Sequence, residues 1–517
     1  MTKIIPGVMP PQAPEKIPEM EKRRRAIADR YVADNVALDA FEGLQQLAML
    51  YPQNGPILYD FMVIALICAE YTIARNTAIK LLELLPESLH VVDKATEILS
   101  SVGEEELVRQ AWLRIANTQD RDCAYTALAG GAIRHNKMQE AKDWIRQALQ
   151  ESRTNPMTLL IGGQIARKTG DFTEAEQLLA DCSKPDVLPI VRFRALYEMG
   201  ELYDQLGEPV AAVKAWRTAK QCLETEFADR VAQSRQLRQK RLARNRQLLE
   251  ELADSPCRSW RQLRPSAAQP SMAILAGHPR SGTTLLEQMI AAHPQVADLD
   301  EKEALSAAFK ATLMRNVPEY PNLNHLKTAS PLQLAGIRSE YLRRVAMLLG
   351  RLPRNALLLD KNPNFTDVLP LLLPVFPGIR LLVARRDPKD ILLSCFRLAV
   401  TPEAANVAWL READAVEDYR SMMAVWERLR DLLDVHDGWM EVSYEALCDA
   451  PETLGRQVTE FLGLEWHPDQ DRYREVRAHA HIASPTHAEV RAPVSRNAIG
   501  RWRRYADLLP ELFESFG

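Results

Sequence analysis

Between about residues 30 and 225 of the 517-residue chain, leucine, alanine and charged residues recur at three- and four-residue spacing. No β-branched alternating run interrupts them. That period predicts amphipathic helices with one buried face. Turn signals fall at Gly103, Asn136, Gly170 and Gly207, in steps of 33, 34 and 37 residues. Ala141, Ala175 and Ala212 follow the last three turns by five residues; Gly163 and Gly200 precede the last two by seven, with Tyr203 just beyond Gly200. Small residues kept in phase let two antiparallel helices approach closely, and Gly or Asn lets the chain reverse between them. After Pro265 and Pro270 the pattern changes. Apolar runs of strand length at 272–277 (MAILAG), 356–360 (ALLLD), 379–384 (IRLLVA) and 439–444 (WMEVSY) now alternate with helical stretches. This predicts an α/β domain with a parallel sheet, of about 250 residues and long enough to bury its own core.

A helix–turn–helix period near 34 is similar to the tetratricopeptide repeat. The expected organisation is therefore a TPR-like α-helical repeat solenoid over 1–225, a charged helical linker over 226–264 and a P-loop-like α/β domain over 265–517. Such solenoids bind along a concave face, but the sequence does not say what. The linker is locally basic (Arg230, Arg235, Arg238, Lys240, Arg241, Arg244, Arg246). It reads as a solvated capping or linker helix rather than a site for an acidic partner, and so does the run Lys22–Arg25. Composition adds limits. Sixty-five Lys+Arg against 69 Asp+Glu give −4, which argues against a nucleic-acid partner. The seven cysteines (Cys68, Cys123, Cys182, Cys222, Cys257, Cys395, Cys448) form no CxxC pair, so reduced thiols in a cytoplasmic protein are expected. The N-terminus has no signal-peptide core, and the apolar stretch Phe61–Ala69 has about half the length of a membrane span.

The chemistry concentrates after the first strand, in GHPRSGTTLLEQMI (277–290). A strand runs into a tight loop, and a helix starts at Thr283 and Thr284 with Leu285, Leu286, Met289 and Ile290 on its buried face. Loop amides and a helix N-terminus together make an anion cradle that requires no metal. The spacing nearly repeats a nucleotide-triphosphate P-loop, with Gly277, Gly282 and Thr284 in place, but Thr283 stands where that motif has Lys. Without that cation the loop suits a donor with a shorter phosphate chain.

HPRSGTTLLEQMIAAHPQV resembles the 5′-phosphosulfate loop of sulfotransferases that use 3′-phosphoadenosine 5′-phosphosulfate (PAPS), and is most like protein-tyrosine sulfotransferases and bacterial tetratricopeptide-repeat sulfotransferases. Further blocks follow in the family's order. Glu301 lies eight residues past His293; Asp360-Lys361-Asn362-Pro363 resembles the DK-x-P element; VARRDPKDILLS resembles the 3′-phosphate element through Arg386 and Ser394; 442–466 and 490–505 resemble the last two blocks. Asp387 can also cap a helix that begins at Pro388, which puts a helix N-terminus beside Arg386. Two departures stand out. Asp300 occupies a place often taken by Gly, and the position of a functional Ser is held by His487 beside Thr486, so that role is not transferred.

The resemblance implies transfer of the PAPS sulfuryl group to a hydroxyl, first of all a tyrosine of a protein or peptide, with small phenols, sugars and lipids left open. Glu301 would be the base; Arg280 and Lys361 would stabilise developing charge. Arg280, Ser281, Gly282, Thr283 and Thr284 would hold the phosphosulfate, Arg386 and Ser394 the 3′-phosphate, with Tyr444 and Arg501 as further nucleotide ligands. The donor would leave as adenosine 3′,5′-bisphosphate, with no permanent cofactor and no metal. Acceptor recruitment by the helices and a homodimer stay open. The competing readings are a P-loop kinase or NTPase, which Asp360 after LLL favours, and a nucleotide-binding repeat adaptor without chemistry.

Overall fold

The computed structural model of the protein describes residues 19–34, 37–253, 271–313, 322–350, 352, 355–433, 438–478 and 490–516. Cys257, the border at 265–270, Thr486 and His487 lie outside the described residues. Contacts divide the chain into two compact units. One takes in the described residues of Met1–Ala124, Lys302–Pro321 and His325–Pro353; the other takes in those of Tyr125–Glu301, Asn322–Asn324 and Arg354–Gly517. The changes of pattern near 225 and 265 thus mark a change along the chain, while the packing divides elsewhere.

The described part of the first unit holds six helices between Glu19 and Ile115 and includes the later helices Ala304–Thr312 and Pro331–Leu349. Leu44, Leu47, Ile57, Phe61 and Ile64 build one of its cores. The run Lys22–Arg25 is not simply a solvated face: Arg24 is buried and bonded to Glu21 at 2.7 Å and to Asp60. Arg344, on the helix Pro331–Leu349, donates to the Cys68 carbonyl at 2.8 Å and pairs with Glu70 at 3.0 Å.

In the second unit the repeat-like helices and the parallel sheet are both present. Its helices include α1 (Pro156–Lys168), α2 (Phe172–Cys182), α3 (Pro189–Leu206), α4 (Pro209–Glu226) and α5 (Ala228–Ala253). The punctuation residues do what their types suggest, since Gly103, Asn136, Gly170 and Gly207 all take positive φ at helix ends. Close approach is equally specific. A Cβ on Gly200 of α3 would lie 2.2 Å from Trp216 Nε1 of α4, so the indole fills the space a side chain would need. Ala141, Ala175 and Ala212 are fully buried at the matching contacts.

Five strands, β1 (Ser271–Gly277), β2 (Val296–Asp298), β3 (Leu357–Lys361), β4 (Arg380–Arg385) and β5 (Trp439–Ser443), form one all-parallel sheet in the order β2-β3-β1-β4-β5. Four match the apolar runs. The three-residue edge strand β2 carries no such run and was invisible to periodicity. Leu275, Leu286, Met289, Leu359, Leu382 and Val442 pack between this sheet and the helix α6 (Thr283–Ala291). Among the described residues, six cysteines are unbridged and no helix is long and apolar enough to cross a membrane.

The basic stretch corrects the sequence reading: α5 is packed, not a solvated linker. Val231, Arg238, Leu242, Leu248 and Leu252 are buried. Arg238 reaches Asp418 at 2.8 Å and Glu417 at 2.6 Å on the helix Glu412–Leu432, and Asn245 donates to Asp367 at 3.1 Å. Nearby, Lys220 of α4 is buried, donates to the Trp409 carbonyl and stands 4.1 Å over the Phe396 ring. Burial pushes its ammonium down to about 7 from the ordinary 10.5. Between those values unfolding takes up a proton, so stability should rise with pH, by roughly 1–2 kcal/mol from pH 7 to 8.5 for this group. The apparent Tm of Lys220→Met should rise less steeply with pH than that of the native chain. An unchanged slope would mean that Lys220 stays charged throughout.

Candidate active site

The loop after β1 is shaped by contacts that exclude side chains. Gly277 has φ 147°, and a Cβ there would lie 2.6 Å from Ser281 Oγ and 2.7 Å from the Ala384 carbonyl of β4. Thr366 straps the same residue, its hydroxyl lying 2.8 Å from both the Gly277 N–H and carbonyl. His278 is buried beside the Pro279 carbonyl, and burial pushes its imidazole down to about 4, so it is neutral near pH 7. Gly282, at φ 97°, leads into α6 with the Tyr444 ring against it; a Cβ would come within 2.5 Å of that ring. The first amides of α6 therefore sit at the loop, where an anion is favoured. Ser281 Oγ is buried with no hydrogen-bond partner among the described residues.

A cavity of about 1120 Å³ lies over this loop. Of the candidates named from sequence, all line it except Ser281 and Lys361. Arg280, at φ 75°, turns its Nε to Ser394 Oγ at 2.8 Å. Asp387 caps the helix α7 (Pro388–Phe396) through the Lys389 N–H at 2.8 Å, as the sequence suggested. Arg386 forms no ion pair with Asp387 or Asp390. It donates to the carbonyls of Arg280 (3.0 Å) and Ala498 (2.6 Å), lies 4.6 Å over the Tyr444 ring, and keeps a buried Nε without a partner among the described residues. Arg501 also lines the cavity, but its guanidinium is bonded to Asp204 of α3.

Behind the wall that Glu301 lines, Lys361 ends β3 opposite Leu275 of β1, fully buried. Its Nζ lies 2.6 Å from Glu301, 3.1 Å from Glu287 and 3.6 Å from Asp300. Burial alone would lower the ammonium, but the three carboxyls outweigh it and hold it above the ordinary lysine value. Glu287, on α6, is the member sequence reasoning missed. Burial drives its carboxyl well above the usual range, and Lys361 offsets only part of that. Asp300 and Glu301 have φ 43° and 62°, a left-handed pair without glycine. The Glu301 N–H to Lys361 carbonyl bond, 3.1 Å, helps hold it. Glycine takes such a backbone freely, and Asp300 takes it at some steric cost. Glu301 is the member of the group that reaches the cavity as a carboxylate on its wall.

Residues 270–468 match a family model described as the sulfotransferase family. An uncharacterized protein of Aquifex aeolicus is 26% identical over 259 residues, covering 47% of this chain and 31% of its own length. Protein-tyrosine sulfotransferase A of Caenorhabditis elegans is 25% identical over 205 residues, 37% of this chain and 50% of that protein. This chain therefore spans half or less of the length of either relative. A solved sulfotransferase domain from a Synechococcus olefin synthase is 20% identical, covers 47% of this chain and 91% of that domain, and superposes with a TM-score of 0.31.

Proposed function

We propose that this chain, whose residues 270–468 form a sulfotransferase-family domain, transfers the sulfuryl group of PAPS to a hydroxyl, with a protein or peptide tyrosine as the acceptor. The observation that carries the reading is one cavity holding both halves of the chemistry: an anion loop backed by arginines, and a carboxylate, Glu301, held at 2.6 Å by a buried lysine. The unpaired Ser281 Oγ and Arg386 Nε are polar atoms of the kind that phosphate oxygens would satisfy. Ser281, Gly282, Thr283 and Thr284 would hold the 5′-phosphosulfate, and Arg386 and Ser394 the 3′-phosphate. Tyr444 and Arg501 would complete the nucleotide site.

Glu301 takes the acceptor proton as the acceptor oxygen bonds to sulfur and the bond from sulfur to the phosphate oxygen breaks. Arg280 balances charge on the departing oxygen. Lys361 acts through Glu301, whose carboxylate it orients. Such catalysis is positioning plus fixed electrostatics. The tyrosine acceptor rests on the likeness to protein-tyrosine sulfotransferases.

The test is incubation with labelled PAPS and a cell extract, followed by identification of the sulfated product. The positive charge around the phosphosulfate comes from arginines and amides, and Thr283 replaces the P-loop lysine. Transfer should therefore persist in excess EDTA. Loss of transfer that magnesium restores would favour a phosphotransferase instead.

A further inference from the structure

We infer that Asp204, on the repeat-like helix α3, is a positioning residue for the donor: it holds Arg501 and the underside of α7 so that the 3′-phosphate site is assembled. The inference rests on the PAPS reading above and adds a residue from outside the sulfotransferase-family segment.

Asp204 is 2% exposed, yet it gathers three arginines near that site. Its carboxylate accepts from Arg501, from Arg397 at 3.1 Å and from the Tyr505 hydroxyl, and pairs with Arg504 at 3.3 Å. Its carbonyl accepts from Arg504 at 3.1 Å. Burial raises its carboxyl, but the arginines and Tyr505 outweigh that and leave it below the ordinary value. One turn back, Glu201 binds Arg397 at 2.6 Å, which ties α3 to the C-terminal end of α7.

α7 is the helix that carries Ser394 and follows Arg386. Its Asp390 accepts from the Gly500 N–H at 2.6 Å and the Trp502 N–H at 3.1 Å, fastening the segment that bears Arg501. Arg386 in turn grips that segment at the Ala498 carbonyl. Arg386, Ser394 and Arg501 thus stand on two pieces of chain, and both are anchored to α3. Three arginines converging without a carboxylate would repel one another. With Asp204 among them, Arg397 and Arg501 can line the cavity together.

The experiment is calorimetric titration of the full chain with adenosine 3′,5′-bisphosphate and with adenosine 5′-phosphate. In Asp204→Asn the bisphosphate should weaken roughly ten- to a hundredfold, while the monophosphate changes by less than about threefold. Arg501→Gln should give the same selective loss, and adding Asp204→Asn to it should cost little more, because the two act as a unit. Equal weakening of both nucleotides, or a fall in Tm with the preference intact, would reduce Asp204 to a structural role and overturn the inference. Should Asp204→Asn fail to fold, an Arg501→Gln chain that keeps its preference overturns it as well. A native chain that does not prefer the bisphosphate would sink the PAPS reading itself, and this inference with it.

Discussion

Glu301→Gln should bind adenosine 3′,5′-bisphosphate as the native chain does, yet turn over roughly 10²–10⁴ times more slowly. The amide keeps the shape of the side chain and can still accept from Lys361, now 2.6 Å from Glu301 Oε1. It cannot take the acceptor proton. The loss should appear in kcat at saturating donor, because an interaction made in the transition state has been removed and not one made in the ground state. Turnover within about threefold of native would mean that the carboxylate belongs to an acidic surface run and nothing more.

Lys361→Met should destabilise the chain by roughly 3–5 kcal/mol, since removing the cation leaves Glu287 and Asp300 facing Glu301 in a buried space. Turnover should fall with it, because Glu301 loses the group that orients it. The double change Lys361→Met with Glu287→Met separates the two effects. Replacing a buried ion pair by apolar side chains is often close to neutral, so stability should largely return while turnover does not. Urea unfolding and a donor-saturated rate give both readings. A cost below about 1 kcal/mol for the single change would show that water reaches the cluster and screens it.

What could be read from the sequence was whatever is local. The reversals at Asn136, Gly170 and Gly207, the crowding at Gly200, the loop after β1 and the Asp387 cap are each decided within a few residues. The structure bears these out. What could not be read depends on partners far along the chain. Glu287 looks like one polar position on a helix until β3 brings Lys361 beneath it. Arg238 looks solvated until the helix carrying Asp418 arrives 180 residues later. Length alone suggested that residues from 265 onward could bury a core unaided, yet Asp204, Lys220 and Arg238 show that α3, α4 and α5 are packed into the same unit. The side chains of this group are polar, so no hydrophobic period could announce it.

The span between Asp204 and Arg501, 297 residues, also sets a clock on synthesis. At roughly 5–20 residues per second, Asp204 emerges about 15–60 s before the arginine that will cover it. Through that interval the α3–α4 hairpin can close over Trp216, while Asp204 gains Arg397 only 193 residues on and still awaits Arg501 and Arg504. The nascent protein must therefore keep a half-finished surface out of aggregation until Arg501 and Arg504 are made. Ribosome-bound chains stalled before residue 490 should depend on holding chaperones far more than chains in which Arg501 and Arg504 have left the ribosome.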